Sequence, residues 1–420
     1  MKTFGKLTKK LTALLLIAVI MISCTACTGK RYKTAKNLDL NNIVTVNVWY
    51  TDDVYTSYLE RAASEFNEAN DMVRLNIQKV DTRDYLDNIY NGSVNGDENT
   101  ADIYLLTSDK LGRAYLMGIA AENDIYGYNY TTDNYGDAGI RSACYNNRLY
   151  GYPLTYNTAV MLYNKKYVSQ PQSFEDIKNF CSSYTVNDDN KDVSIINTWD
   201  VSDPFLNYAF AGQYMDIGGQ NGDNKSEVKL AESQLTGSLG AFTKLKDDYG
   251  LTVSDTDESS CIDLFKQGKL IYTIIETDRL CEVQDSDVDF GACSIPALTD
   301  SYDTKAMSYT TLAVVNPYAK NLAVAKAVAN SLSYDYADEI KKYTGRLSAR
   351  IDIYNKLEAK NRDLYKAVAD AYSDTVTKAK LLGADNIYSE YGMVIKSIWA
   401  GGEIEASVED LKNTMSSIKQ

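Results

Sequence analysis

One pattern runs the length of this chain and limits its fold: β-branched apolar runs alternate with amphipathic helical stretches. "NIVTVNVWY" reads as a strand. "YTSYLERAASEFNEAN" sets Tyr58, Leu59, Ala62, Ala63 and Phe66 on one helical face. "ADIYLLT" is a buried strand, and "SDKLGRAYLMG" a helix after it. "AVMLYN" is a strand before "SFEDIKNF", where Ser173 and Asp176 are spaced as a capping box. "SCIDLFKQGK" is a helix ended by Gly268, and the strand "LIYTIIE" follows. "TTLAVVN" leads into two helices stopped at Gly345, and the chain beyond Asn361 is mostly helical. Such alternation predicts an α/β fold with largely parallel sheets. Beyond the N-terminal segment, roughly 380 residues exceed one ordinary core, and no linker or repeat divides them. Two lobes built from interwoven segments are therefore expected.

The N-terminus points to export. "MKTFGKLTKK" carries four lysines and no acid, and an apolar run of twelve residues follows from Leu11 to Ile22. A bilayer span needs ~20 residues, so the run is a signal-peptide core rather than a crossing helix. "MISCTAC" resembles a bacterial lipobox. Cys24, with Met21 and Ile22 upstream, is the favoured lipidation site, and Cys27 the alternative. Plain secretion with two incidental cysteines is the competing reading. Residues 1–23 are then the signal peptide. Residues 24–37, short, polar and basic, are the anchor and tether beside an anionic membrane.

Without residues 1–23 the chain holds 39 basic and 57 acidic residues, a net charge of -18. Such a surface repels nucleic acid. Cys144, Cys181, Cys261, Cys281 and Cys293 show no CxxC and are odd in number, which predicts buried free thiols. The sequence has no His, no GxSxG and no phosphate-cradling Gly loop, so the usual general base is absent and no cofactor is implied. "NDDNKD" spaces Asp188, Asn190 and Asp192 as a calcium loop does, but lacks the central Gly and terminal Glu. It reads as a solvated turn, and no metal is expected.

In open α/β sheets ligands sit beyond the carboxyl ends of the strands. After the first strand come Trp49, Asp52 and Asp53. A ring beside carboxylates suits a sugar, which stacks its C–H face and donates hydroxyl protons. Equally, Trp49 is core and an aspartate caps the next helix. Thr107, Ser108 and Asp109 follow the second strand and also fit an N-cap. Asp203 before Pro204 has the order of N-cap and first helical residue, while Trp199 occupies a loop just ahead. Glu276 closes an apolar strand, where it binds a ligand hydroxyl or pairs with Arg279.

"LYGYPLTYNTAVMLYNKKY" holds five of the chain's 34 tyrosines in nineteen residues. Tyr150, Tyr152 and Pro153 fall where the chain leaves the first lobe, and Pro153 restricts the backbone there. Tyr156, just past the crossover, is the one candidate ligand or hinge contact. Tyr163 and Tyr167 read as packing.

The ordered segments resemble the extracellular solute-binding proteins of sugar ABC transporters, the group that includes maltose-binding protein. "VNVWY...AASEFNEAN" is similar to that family's opening strand and helix, and "ADIYLLTSDKLGRAYLMGIAAEN" to its second unit. "LYGYPLTYNTAVMLYNKKY" resembles its most recognisable segment. "FKQGKLIYTI", "DFGACSIPAL", "SYTTLAVVNPYAKNLAVAKAVANSL" and "IWAGGEIEASVEDL" follow in the family's order, so the likeness covers nearly the whole mature chain. It implies the two-lobe periplasmic-binding-protein fold (type II), each lobe a mainly parallel sheet flanked by helices. Lobe one would span 38–153 plus 304–345, and lobe two 156–300 plus 350–420. It places ligand contacts at Trp49, Asp52, Thr107, Ser108, Asp109, Asp203, Phe205, Ser308, Tyr309 and Tyr391. At Glu276–Arg279, where the family often supplies an aromatic, none stands. The implied protein is no enzyme but a monomeric, lipid-anchored binder on the outer face of the cell membrane. It would close over an oligosaccharide and dock on a membrane permease. A polyamine or peptide binder, a secreted carboxylate-dependent glycosidase and an adhesin are the alternatives.

Overall fold

A computed structural model describes residues 38, 40–251 and 257–418. The expected signal peptide, Cys24, Cys27 and the tether lie outside the described residues. Among the described residues nine strands form one sheet: β1 (Val44–Tyr50), β2 (Val73–Lys79), β3 (Ile103–Thr107), β4 (Gly151–Asn164), β5 (Ile195–Asn197), β6 (Leu270–Glu276), β7 (Phe290–Cys293), β8 (Met307–Val315) and β9 (Val376–Thr377). Their order is β2-β1-β3-β8-β4-β6-β5, with β7 on β4 and β9 on β8. The outer pairs β1–β2, β1–β3 and β5–β6 are parallel. The two long strands β4 and β8 run antiparallel to each other and to their flanking partners β3 and β6. They are the shared spine of two lobes, each flanked by helices.

Local signals hold where periodicity predicted them. The helix Thr56–Ala69 buries Tyr58, Leu59, Ala62, Ala63 and Phe66. Ser173 and Asp176 form the reciprocal capping box of the helix Phe174–Ser183. The helix Ala337–Thr344 closes on Gly345 at φ 71°, a left-handed conformation that glycine adopts without strain.

The two faces of the sheet differ. On one, a single buried cluster runs from Phe66 and Leu105 through Tyr152 and Tyr156 to Phe265 and Tyr372. On the other, the core is broken in two: one cluster holds Leu106, Leu111 and Leu312, the other Trp199, Phe242 and Trp399. Between them β4 and β8 present paired polar residues, Thr155 opposite Thr311 and Asn157 opposite Tyr309. A register shift between Thr311 and Leu312 re-aims β8 at the edge of this gap. We take this polar gap as the floor of the candidate cleft.

The five cysteines among the described residues are free, but their burial is uneven. Cys261 and Cys293 are buried, whereas Cys144, Cys181 and Cys281 are half-buried. In "NDDNKD" the Asn190 side chain is spent on the turn, accepting from Asn187 N at 2.7 Å and donating to Thr185 O at 3.0 Å.

Candidate functional site

Asn157 organises the floor. Its Nδ2 donates to Glu276 Oε2 and, at 2.9 Å, to Tyr309 Oη. Its Oδ1 accepts from Thr277 Oγ1 at 3.1 Å and Asp278 N at 3.2 Å. With the amide so committed, it fixes the turn at the end of β6 and stands Glu276 beside Tyr309. The Phe205 ring lies 5.6 Å from the Tyr309 ring at 56°. Asp203 caps the turn that carries Phe205, its Oδ1 accepting from Phe205 N at 2.7 Å and Leu206 N at 2.9 Å.

At one end of the cleft, Arg346 joins the two halves. Its Nη1 donates to Asp52 Oδ2 at 2.9 Å and Tyr55 Oη at 3.3 Å, and its Nε lies 3.1 Å from Asp278 Oδ2. Tyr55 Oη in turn meets Thr155 Oγ1 on the floor at 2.6 Å. Asp278 Oδ1 is buried and has no partner among the described residues. Burial pushes the Asp278 carboxyl up to about 6. Arg346 opposes that rise, and Asp52 and Glu258 add to it. Burial likewise pushes Glu276 up to about 7; the Asn157 amide opposes, while Glu258, Asp203 and Asp278 reinforce it.

At the other end, Asp109 Oδ2 lies 3.1 Å from Lys378 Nζ and 3.3 Å from Lys110 Nζ. Lys110 also reaches Asp385 at 2.8 Å. Asp109 Oδ1 is buried without a partner among the described residues. Burial alone would raise this carboxyl, but Lys378, the Thr107 hydroxyl and Lys110 outweigh it and hold it low.

The structure thus brings Asp52, Asp109, Asp203, Phe205, Glu276 and Tyr309 to the cleft, with half-exposed Thr107 against Asp109. Trp49 stands half-exposed near the end of β1, its Nε1 buried without a partner among the described residues. Other expected contacts lie inside the protein. Trp199 is 0% exposed and donates to Asn207 Oδ1 at 2.8 Å. Tyr391, 1% exposed, donates to Asn207 O at 2.7 Å. Tyr156 is also 1% exposed and stacks on Tyr372 at 4.0 Å, because its side chain takes the continuous-core face of β4. Ser108 and Ser308 are fully buried, one accepting from Thr310 N at 3.2 Å and the other paired with Thr375 Oγ1. Arg279 does not pair with Glu276. Its Nε and Nη2 each donate to Glu282 at 2.8 Å, one helical turn on, and its Nη1 lies 3.2 Å from Glu258.

Sequence reading missed Asn157, Asp278, Arg346, Lys110 and Lys378. The available signal for Asn157 was alternation: Thr155 and Asn157 interrupt one side of an otherwise apolar strand.

Residues 61–335 match the family described as bacterial extracellular solute-binding protein. No curated protein matches the chain. Among solved structures, the extracellular solute-binding protein of Staphylococcus aureus in complex with maltose is similar at TM-score 0.75 and 19% identity, over 90% of this chain and 98% of that one. A cyclo/maltodextrin-binding protein complexed with maltotetraose aligns at TM-score 0.74 and 16% identity, over 91% and 99%. MalX of Streptococcus pneumoniae in complex with maltopentaose aligns at TM-score 0.68 and 19% identity, over 89% and 99%.

Proposed function

We propose, from the premise that the chain belongs to the bacterial extracellular solute-binding protein family, that its solute is a carbohydrate, an oligosaccharide held in the cleft and delivered to the permease of an ABC importer. Members of this family bind solutes and are not enzymes. One observation carries the carbohydrate reading: the Phe205 and Tyr309 rings stand beside Asn157 and Glu276, between two carboxylates that each keep a buried oxygen without a donor. Rings take the C–H faces of a sugar, and free carboxylate oxygens take its hydroxyls. The maltose, maltotetraose and maltopentaose in the similar structures agree with it.

In this reading Asp52, Asp109, Asp203, Phe205, Glu276 and Tyr309 line the site, together with Asn157, Asp278 and Arg346. Residues 38–153 plus 304–345 and 156–300 plus 350–420 act as the lobes. Solute touching both favours the closed arrangement as a population shift. Cys24 carries the lipid that tethers the monomer outside the cell membrane. A thermal-shift screen of mono- and oligosaccharides tests the reading. A sugar at 100 times its dissociation constant should add about 2.7 kcal/mol. A melting temperature that no saccharide moves would overturn it.

A further inference from the structure

Taking the cleft as a saccharide site, we propose that the solute is a cationic saccharide whose ammonium group docks on Glu276, with Asp278 beside it and the Phe205 and Tyr309 rings alongside. The cations at this end of the cleft are already committed. Arg279 is held by Glu282 and Glu258, and Arg346 by Asp52 and Asp278. Four carboxylates therefore share two guanidiniums. Glu276 and Asp203 are left over; Asp203 is engaged by the backbone N–H groups of Phe205 and Leu206, whereas Glu276 has the neutral amide of Asn157 on its Oε2 and no ion pair among the described residues.

The charged groups acting on Glu276 are Glu258, Asp203 and Asp278, all of its own sign. Neutral hydroxyls would satisfy the free oxygens but leave this charge uncompensated in a largely buried place, which is costly. An ammonium satisfies both, and aromatic faces add to its binding. Burial, with Glu258, Asp203 and Asp278 nearby, raises the Glu276 pKa to about 7, so a bound ammonium would hold ionised a carboxyl that otherwise takes a proton near neutrality. A second carboxylate of the cleft adds an independent demand for a donor. Asp109, its side chain 5% exposed, keeps Oδ1 buried and unpartnered, but its two lysines already neutralise it. The cleft is thus polarised: hydroxyls suit the Asp109 end and the ammonium suits the Glu276 end.

Calorimetric titration of the full chain with a glucosamine tetramer and with maltotetraose tests this. The amino oligosaccharide should bind at least ~10-fold tighter, and added salt should weaken it alone. Glu276→Gln should abolish the preference while keeping its folded melting transition; the salt dependence of the unaltered protein does not need the variant. Maltotetraose binding as well as the amino tetramer, or better, overturns the cationic class and leaves the carbohydrate reading standing. Binding of spermidine with no saccharide bound overturns the carbohydrate reading and leaves the demand for a cation. Equal binding of the amino tetramer by protein and variant removes Glu276 from the role.

Discussion

At both ends of the cleft a carboxylate from one half of the sheet meets a cation from the other, yet the two pairs sit in opposite company. Asp109 faces Lys378 and Lys110, and its carboxyl is held low in spite of burial. Asp278 shares one guanidinium with Asp52, beside Glu276 and Glu258, and is pushed up to about 6. Geometry alone would rate the two pairs alike. The difference lies in the count of neighbouring charges, and it divides the work. One end is a permanent ion pair at neutral pH, and the other is a junction that a proton or a ligand can retune.

The largest effect should come from breaking the permanent end. Lys378→Met raises the Asp109 pKa by removing its strongest opposing charge, but Lys110 and the Thr107 hydroxyl remain and still counter the rise that burial alone would give. A loss of about 3 kcal/mol is expected, the low end for an orphaned buried charge. Because the folded pKa of Asp109 lies below its unfolded value, the pair's contribution is present above the unfolded value and lost as pH falls through the folded one. Denaturant melts from pH 5 to pH 8 should therefore show a constant deficit. A deficit that vanishes at pH 5 would mean that Asp109 titrates like Asp278.

Arg346→Met cuts the other end, where Asp278 can protonate instead. About 2 kcal/mol is expected at pH 8, shrinking below about 1 kcal/mol at pH 5, because the carboxyl is then mostly neutral. The slope, more than the size, separates the two ends. A deficit independent of pH would erase the distinction drawn between them.

These ends also mark how far the sequence could be read. Strands and helices were legible because their periodicity is a property of neighbouring residues. The family order was legible for the same reason, as ordered short motifs. Asp52, Asp109 and Glu276 were found by looking just past strands. Arg346 follows a helix stopped by Gly345, so that rule never reached it. Lys378 follows a strand of two residues, Val376–Thr377, too short to show any period. Trp199 looked like a cleft aromatic because it lies in a loop, Tyr156 because it follows the crossover between lobes, and Tyr391 because the family resemblance sets an aromatic on that helix. Here tyrosines fill core positions: Tyr156 stacks on Tyr372, and Tyr391 meets Tyr208 edge-on.

Glu276→Gln tests the acidic end from the opposite direction. The folded pKa of Glu276, about 7, exceeds the ordinary 4.5. Its contribution is therefore fully present below the unfolded value and is lost as pH rises through about 7. The variant keeps an amide for Asn157 and sheds the charge. It should equal the parent at pH 4 and exceed it by about 1.5 kcal/mol at pH 8, a figure reduced because one carboxylate oxygen faces the cleft. A variant less stable than its parent at pH 8 would mean that the ionised carboxylate is matched by a cation.

Between the charged ends, Phe205 should matter for binding and little for folding. Its ring is half-exposed and rests on Tyr309, and its backbone is held by Asp203 whatever the side chain. Phe205→Ala removes the stacking face without opening a buried cavity, so the unliganded melting temperature should move little. Affinity for the solute should fall about tenfold, or about 1.4 kcal/mol, equally at pH 5 and pH 8, because no titrating group is touched. Tyr156→Ala should show the reverse, since its ring is stacked inside the core: a lower melting temperature and little change in affinity per folded molecule. If both variants lose affinity in step with stability, the cleft depends on overall packing rather than on a ring facing the solute.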